Sequence, residues 1–156
     1  MSNSIGQTGE YLVASELCRR GIIATTFSRN MPGFDILAFN IRTQNGSRIQ
    51  VKTKTTGDWQ LNAKDFLRFN QKLFEKGIQK VLGVMQGNPA DYFIFVKLGG
   101  KYGGDEFYIL TSKQIKETVR KNYGVFRKRK STHAIIKDKD LEIYKDKWLV
   151  LIDRQK

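Results

Sequence analysis

Residues 33–55 read GFDILAFNIRTQNGSRIQVKTKT. Two apolar runs flank a polar centre rich in Asn, Thr and Gly, the pattern of two strands joined by a turn. Asp35, Gln50 and Lys52 interrupt the apolar runs. Burying any of them without a partner costs a few kcal/mol. Either the register exposes them, or something polar meets them there.

Side chains alternate along a strand, so Gln50 and Lys52 share one face while Ile49 and Val51 take the other. A two-residue turn at Asn45-Gly46 puts Asp35 on the Gln50 and Lys52 face. It also puts Asp35 opposite Thr56, roughly 13 Å from Lys52. Shifting the pairing by four preserves the facing and brings Asp35 to Lys52. An irregular, longer connection around Asn40–Gly46 is therefore expected in place of a tight hairpin.

The chain of 156 residues suffices for one domain with a core, and 10 Phe, 6 Tyr and 2 Trp argue against disorder. Its one cysteine, Cys18, excludes an internal disulfide. Together with one histidine, His133, it excludes a Cys/His zinc site within the chain and leaves a cysteine nucleophile without a partner. Nothing resembles a signal peptide and no apolar run reaches the ~18 residues of a membrane span, so a soluble cytoplasmic protein is expected. Net charge +13 and a pI near 9.9 call for a polyanion, most commonly nucleic acid. The basic residues are not confined to one amphipathic helix, which disfavours a membrane surface.

Outward from the quoted stretch, residues 4–20 read as a helix capped by Ser4, stopped by Gly21, and apolar along Ile5, Leu12, Val13 and Leu17. Gly6 and Gly9 weaken it but permit close approach of another backbone. Residues 22–27 read as a strand. Asn62 caps a predicted helix over 63–76, with Phe66, Phe69, Leu73 and Phe74 as its buried stripe and Gly77 as its end. Residues 80–85, 92–98 and 106–110 are strands with apolar residues on both faces, as in the middle of a sheet. The glycine-rich 99–106 lacks the lysine and Ser/Thr of a P-loop and reads as a turn. Thr111 and Gln114 form a capping box for a helix over 112–123. Arg127–Lys130 reads as a basic loop, Trp59 and Trp148 as core anchors, and 148–152 as an apolar closing segment. With no repeat or linker, a single α/β domain over 1–156 is expected, its central mixed sheet flanked by helices.

Carboxylate, amide and backbone carbonyl oxygens are hard ligands suited to Mg²⁺. A lysine beside them stabilises developing negative charge. One carboxylate holds Mg²⁺ weakly, and Glu10 is the best second candidate. It sits at the edge of the helical stripe beside Val13, Ala14 and Leu17, where the glycines let its turn press on the sheet.

The stretch GQTGEYLVASELCRRGIIATTFSRNMPGFDILA, followed by RIQVKTK, resembles the start of PD-(D/E)xK nucleases in their Holliday-junction-resolvase-like and restriction-endonuclease-like branch. The shared pattern is a glutamate-bearing helix, a basic-Gly turn, a strand, an acidic residue opening the next strand, and a Glu/Gln-x-Lys strand; the match covers residues 6–54. The resemblance implies a restriction-endonuclease-like core and Mg²⁺- or Mn²⁺-dependent hydrolysis of DNA phosphodiesters. Asp35 would be the shared metal-ligand aspartate, Lys52 the catalytic lysine, and Glu10 the helix-borne glutamate. Gln50 would stand where glutamate is usual, with the Val51 carbonyl as a further ligand. Two departures matter: Phe34 replaces the name-giving proline, and Gln50 lowers the site's negative charge by one. A catalytically degenerate nucleic-acid-binding module is therefore the alternative. Related nucleases often act as dimers, so the resemblance also suggests a homodimer. For DNA contacts, Lys54 continues the face of Lys52, and Ser28 and Arg29 precede Asp35. Arg127, Lys128, Arg129 and Lys130 either add electrostatic affinity or are solvated.

Overall fold

The computed structural model describes residues 2–27, 32–101, 103–128 and 131–152. Helix α1 (Ser2–Arg19) is followed by strands β1 (Ile22–Thr26), β2 (Ile36–Asn40), β3 (Asn45–Lys54), β4 (Trp59–Asn62) and β5 (Leu67–Phe69). Next come α2 (Gln71–Glu75), β6 (Gln79–Val84), β7 (Tyr92–Lys97), β8 (Glu106–Thr111) and α3 (Ser112–Tyr123). The last elements are β9 (Phe126–Arg127), β10 (His133–Ile136), α4 (Asp138–Leu141) and α5 (Leu149–Ile152). Two compact units result: 1–57 with 88–112 and 142–156, and 58–87 with 113–141. No helix among the described residues is long and apolar enough to cross a membrane.

The first unit is built on a five-stranded sheet in the order β1-β2-β3-β7-β8. β3 and β7 are parallel and the other neighbours antiparallel, so the sheet is mixed, as the sequence led us to expect. Val13 and Leu17 of α1 pack in one core with Ile36, Ala38, Ile49, Val51, Ile94 and Val96. These are alternate residues of each strand, which puts one face of the sheet under the helix. Strand β7 is buried from Tyr92 through Val96, as a central strand should be. Helix α1 starts at Ser2, so Ser4 is not its cap but lies in its first turn, where its carbonyl accepts the Thr8 hydroxyl at 2.7 Å. Gly21, at φ +77°, stops the helix as expected.

The β2–β3 connection is not a two-residue turn. Ile36 stands opposite Ile49 and Asn40 opposite Asn45, which leaves residues 41–44 as the loop. Asn40 folds that loop: its Oδ1 accepts the Arg42 and Thr43 amides at 3.0 and 3.3 Å, and its Nδ2 donates to the Ile152 carbonyl at 2.9 Å. Such Asx bonds supply partners that a tight hairpin would have left to the strands.

The second unit contains a three-stranded sheet, β5-β6-β9, and a two-stranded one, β10-β4. The helix expected over 63–76 is not there. Asn62 caps only a 3-10 turn at Ala63–Asp65, its Oδ1 accepting the Lys64 amide at 3.2 Å. Adjacent Phe66 and Leu67 are both buried, Leu67–Phe69 pairs with β6, and Asn70 restarts a single helical turn by accepting the Leu73 amide at 3.1 Å. Two asparagines eight positions apart offer the backbone two local alternatives to one continuous helix. β6, expected to be apolar on both faces, alternates instead, with Leu82 52% exposed. Gln79 donates to the Ser131 carbonyl, and the Tyr123 hydroxyl bridges Gln79 and that carbonyl. Trp59 and, in the first unit, Trp148 are buried anchors as expected.

Two stability tests follow from this packing. A Cβ on Gly9 would lie 2.0 Å from Thr53 Oγ1 and 2.9 Å from its Cβ, so no side chain fits there while α1 rests on β3. Gly9→Ala should destabilise the fold by about 1–3 kcal/mol despite its better helix propensity. Adding Thr53→Gly should recover part of that loss, measured by urea denaturation. Glu106 accepts the Tyr108 hydroxyl (2.6 Å) and Lys145 (2.9 Å), and lies 3.5 Å from Lys97. Chiefly the Tyr108 and then the Lys145 hydrogen bond lower its pKa to about 2. The stabilisation is complete above the ordinary value of 4.5 and is lost as pH falls through about 2. Because the carboxylate is partly exposed, Glu106→Gln should cost about 0.5–1 kcal/mol at pH 7, a difference that shrinks on acidification.

Candidate active site

Asp35 sits one residue before β2, held three ways. Its N–H donates to the Ile49 carbonyl at 2.8 Å and its carbonyl accepts the Phe27 amide at 3.2 Å. Its Oδ2 accepts the Val51 amide at 2.7 Å. Extending the observed register puts Asp35 opposite Gln50, on the face shared by Gln50 and Lys52. The parity argument from sequence holds, and the pairing lies two residues beyond the one that would set Asp35 opposite Lys52.

Strand lengths explain why the carboxylate is used in this way. β2 pairs with β3 only from Asn45 to Ile49, whereas β3 runs on to Lys54 beside β7. Along a strand, alternate residues turn both N–H and C=O to the same side. Ile49 and Val51 turn theirs toward β2, while Lys54 turns toward β7, where its carbonyl accepts the Leu98 amide at 2.8 Å. Past Ile49, therefore, the Asp35 side chain takes the Val51 amide in place of a strand partner. The Val51 carbonyl projects from the same edge, beside the carboxylate.

Gln50 and Lys52 are half-buried and point away from α1, since Ile49 and Val51 face its core. Asp35 is itself largely withdrawn from water. Burial raises its pKa above the ordinary 3.8, against the opposing pull of the Val51 amide and the Lys52 charge. Lys52 is thus close enough for its charge to be felt at the carboxylate, and its compensation is incomplete. Glu10, half-buried, follows Gly9 on the turn of α1 that presses on Thr53. It belongs to the helix-covered side of the sheet, opposite the face of Gln50 and Lys52. The Thr53 hydroxyl donates to the Gly6 carbonyl at 3.5 Å, tying that turn to β3.

The donors beside Asp35 are oxygens: its own carboxylate, the Gln50 amide and the Val51 carbonyl; Glu10 lies on α1, over the other face of β3. Among the described residues no three His, Cys, Asp or Glu side chains gather into a cluster. The set fits a hard divalent cation that uses one or two carboxylates and keeps several waters, as Mg²⁺ does, and it does not fit zinc. A half-buried carboxylate whose charge burial disfavours is what such a cation would neutralise.

The remaining basic candidates fare differently. Lys54 Nζ donates to the Gly57 carbonyl at 2.5 Å, which positions the ammonium without neutralising it. Arg127 is engaged by Tyr123, its guanidinium 4.2 Å from the ring centroid and its Nε donating to the Tyr123 carbonyl at 2.8 Å. Lys128 is exposed. Ser28, Arg29, Arg129 and Lys130 lie outside the described residues. Sequence reasoning missed the Val51 amide as the group that orients Asp35; only the true loop length could have revealed it.

No protein-family model matches this chain, and no curated protein matches it. Among solved structures it resembles a bacterial homing endonuclease, I-Ssp6803I. That likeness has a TM-score of 0.57 and 13% identity, and covers 97% of this chain and 93% of the other. The Holliday junction resolvase Hjc of Archaeoglobus fulgidus also aligns, with a TM-score of 0.48 and 13% identity over 93% of each chain. At such identity the likeness speaks for the fold, and the first of the two carries it.

Asp35→Asn separates stability from chemistry. The amide oxygen keeps an acceptor for the Val51 N–H and removes a buried charge. A carboxyl whose folded pKa is raised stabilises most below its unfolded value, and that contribution is lost as pH rises through the folded one. The variant should therefore be more stable at pH 7, by ~1 kcal/mol or about 2–4 °C in Tm, with a flatter stability profile between pH 4 and 7 by calorimetry.

Proposed function

From the premise that this chain has the restriction-endonuclease-like fold of PD-(D/E)xK nucleases, we propose that it is a divalent-metal-dependent DNA endonuclease, with both units working as one domain. The observation that carries this is the meeting of Asp35, Gln50 and Lys52 on one face of β2 and β3, with the carboxylate oriented by the Val51 amide. Asp35, Gln50 and the Val51 carbonyl would hold Mg²⁺ or Mn²⁺, joined by Glu10 around the edge of β3 that β2 leaves. When bound, that ion would draw electron density from the phosphodiester oxygens and favour attack by water.

The chain's own residues supply the rest. Lys52, on the same face as Asp35, would donate hydrogen bonds from Nζ to the attacking water or to negative charge growing on the phosphate. The Val51–Asp35 bond fixes the carboxylate before substrate arrives, so no reorganisation is needed at the reacting centre. Lys54, exposed Lys128 and the excess of Lys and Arg supply phosphate contacts that position DNA without reading its sequence. A second copy would provide the second cut of a duplex.

One observation favours a second reading. With Gln50 in place of a carboxylate, Asp35 and Glu10 are the anionic donors proposed among the described residues, and a site so poor in charge suits a binding module that has lost cleavage. Plasmid nicking in Mg²⁺ distinguishes the two. The nuclease reading expects Lys52→Ala and Asp35→Ala each to lose at least about 100-fold in rate, with DNA affinity measured in EDTA within about threefold of wild type. Gln50→Glu should lower the half-saturating Mg²⁺ concentration by about 3–10-fold. Nicking undiminished in both alanine variants would remove these residues from catalysis, and salt-sensitive binding without nicking would favour the module.

A further inference from the structure

The second unit holds a cleft of about 420 Å³ with no part in the Asp35 chemistry. Lys64, Arg68, Phe69, Gln71, Leu82 and Met85 line it. Its shape comes from an irregularity in the sheet. Arg68 pairs with Gly83 but Phe69 with Val81, so Leu82 is an extra residue in β6. A bulge of this kind bends its strand and re-aims a side chain. Leu82 is 52% exposed and Met85 38%, so the cleft offers two large apolar groups to solvent beside two cations.

The cations are placed rather than scattered. Arg68 lies along β6 because Gly83 opposite has no side chain: a Cβ there would come within 3.2 Å of Nη2. Lys64 Nζ stands 4.6 Å from the centroid of the Phe74 ring. Both side chains are exposed, with Lys64 over an aromatic face and Arg68 beside the bare Gly83 backbone, so their charges border the cleft. Gln71 adds an amide able to donate and accept.

Apolar walls beside two cations and one amide match a flat heterocycle with an adjoining anion, which is a nucleotide. In an intact duplex the bases are stacked and paired, and none can enter such a cleft. The charge of the unit points the same way. Residues 58–87 and 113–141 carry fifteen Lys and Arg against six Asp and Glu, +9 of the chain's net +13. An apolar peptide would account for Leu82 and Met85 but not for the cations held beside them.

We propose that this cleft seats one unpaired nucleotide of a DNA strand, its base against Leu82 and Met85 and its phosphate on Lys64 and Arg68. The protein then prefers DNA with unpaired bases over uninterrupted duplex. This rests on the DNA reading above and narrows its substrate.

Fluorescence anisotropy of the full chain in EDTA tests it, using a labelled duplex and the same duplex carrying a short unpaired segment. The expected preference for the second is about tenfold, within what one stacked base contributes. Leu82→Ser should reduce the preference to near one while leaving duplex affinity within about twofold. Arg68→Ala should also reduce it and lower the salt slope by about one. Both side chains are exposed, and circular dichroism confirms that the variants are folded. A 2-aminopurine in the unpaired segment should change its emission on binding wild type and not Leu82→Ser. Equal affinity for the two DNAs, or a preference that both variants keep, overturns the proposal. Without metal the assay is blind to cleavage. Plasmid nicking with no preference sinks the cleft alone, preference without nicking sinks the nuclease alone, and no DNA binding sinks both.

Discussion

The site depends on one hydrogen bond, from the Val51 amide to the Asp35 carboxylate. β3 outruns β2, so beyond Ile49 its free edge presents backbone groups that must find partners. A side chain answers where a strand has stopped. The bond that ends the pairing of β2 with β3 thereby also aims a carboxylate at the face of Gln50 and Lys52. It carries an electrostatic cost, because the carboxylate is held in a place where burial disfavours its charge. Lys52 offsets only part of that cost. Fold and chemistry are thus coupled: a residue that three hydrogen bonds hold in the hairpin is also one whose charge burial disfavours.

Helix α1 constrains the same region from the opposite face. Gly9 against Thr53 fixes how closely it lies on β3, and Val13 and Leu17 fix the rest of that contact. Of the two glycines in its early turns, only Gly9 is required by contact. The space around Gly6 is open, and its contribution is a carbonyl accepting the Thr53 hydroxyl. Glu10 inherits its position from this packing, adjacent to the residue that follows Lys52 on β3.

The sequence was most legible where periodicity alone decides. The facing of Asp35, Gln50 and Lys52 follows from a period of two, and the doubly buried β7 from an unbroken apolar run. The helix over 112–123 forms where the sequence placed it, and Gly21 takes the positive φ expected of a helix stop. Reading failed where a single polar side chain competes with the backbone. Asn40 folds a four-residue loop and sets the register, and Asn70 splits a stretch whose aromatic spacing mimics a helical stripe. Neither bond has a periodic signature. The bulge at Leu82 and the division into two units arise from long-range pairing, which one sequence does not display.

The net charge is divided unequally between the two units. A carboxylate able to hold a divalent cation also repels the phosphates of a polyanion. With a Debye length of roughly 8 Å at physiological salt, exposed charges act mainly on their own surroundings. Basic side chains close to Asp35 would therefore compete with any cation held there. Of the net charge, +4 falls on the unit with Asp35 and +9 on the unit with Lys64 and Arg68. Affinity for a polyanion and tolerance of a buried carboxylate are conflicting demands on a single surface. Beside Asp35 itself, the Lys52 charge pulls against the effect of burial.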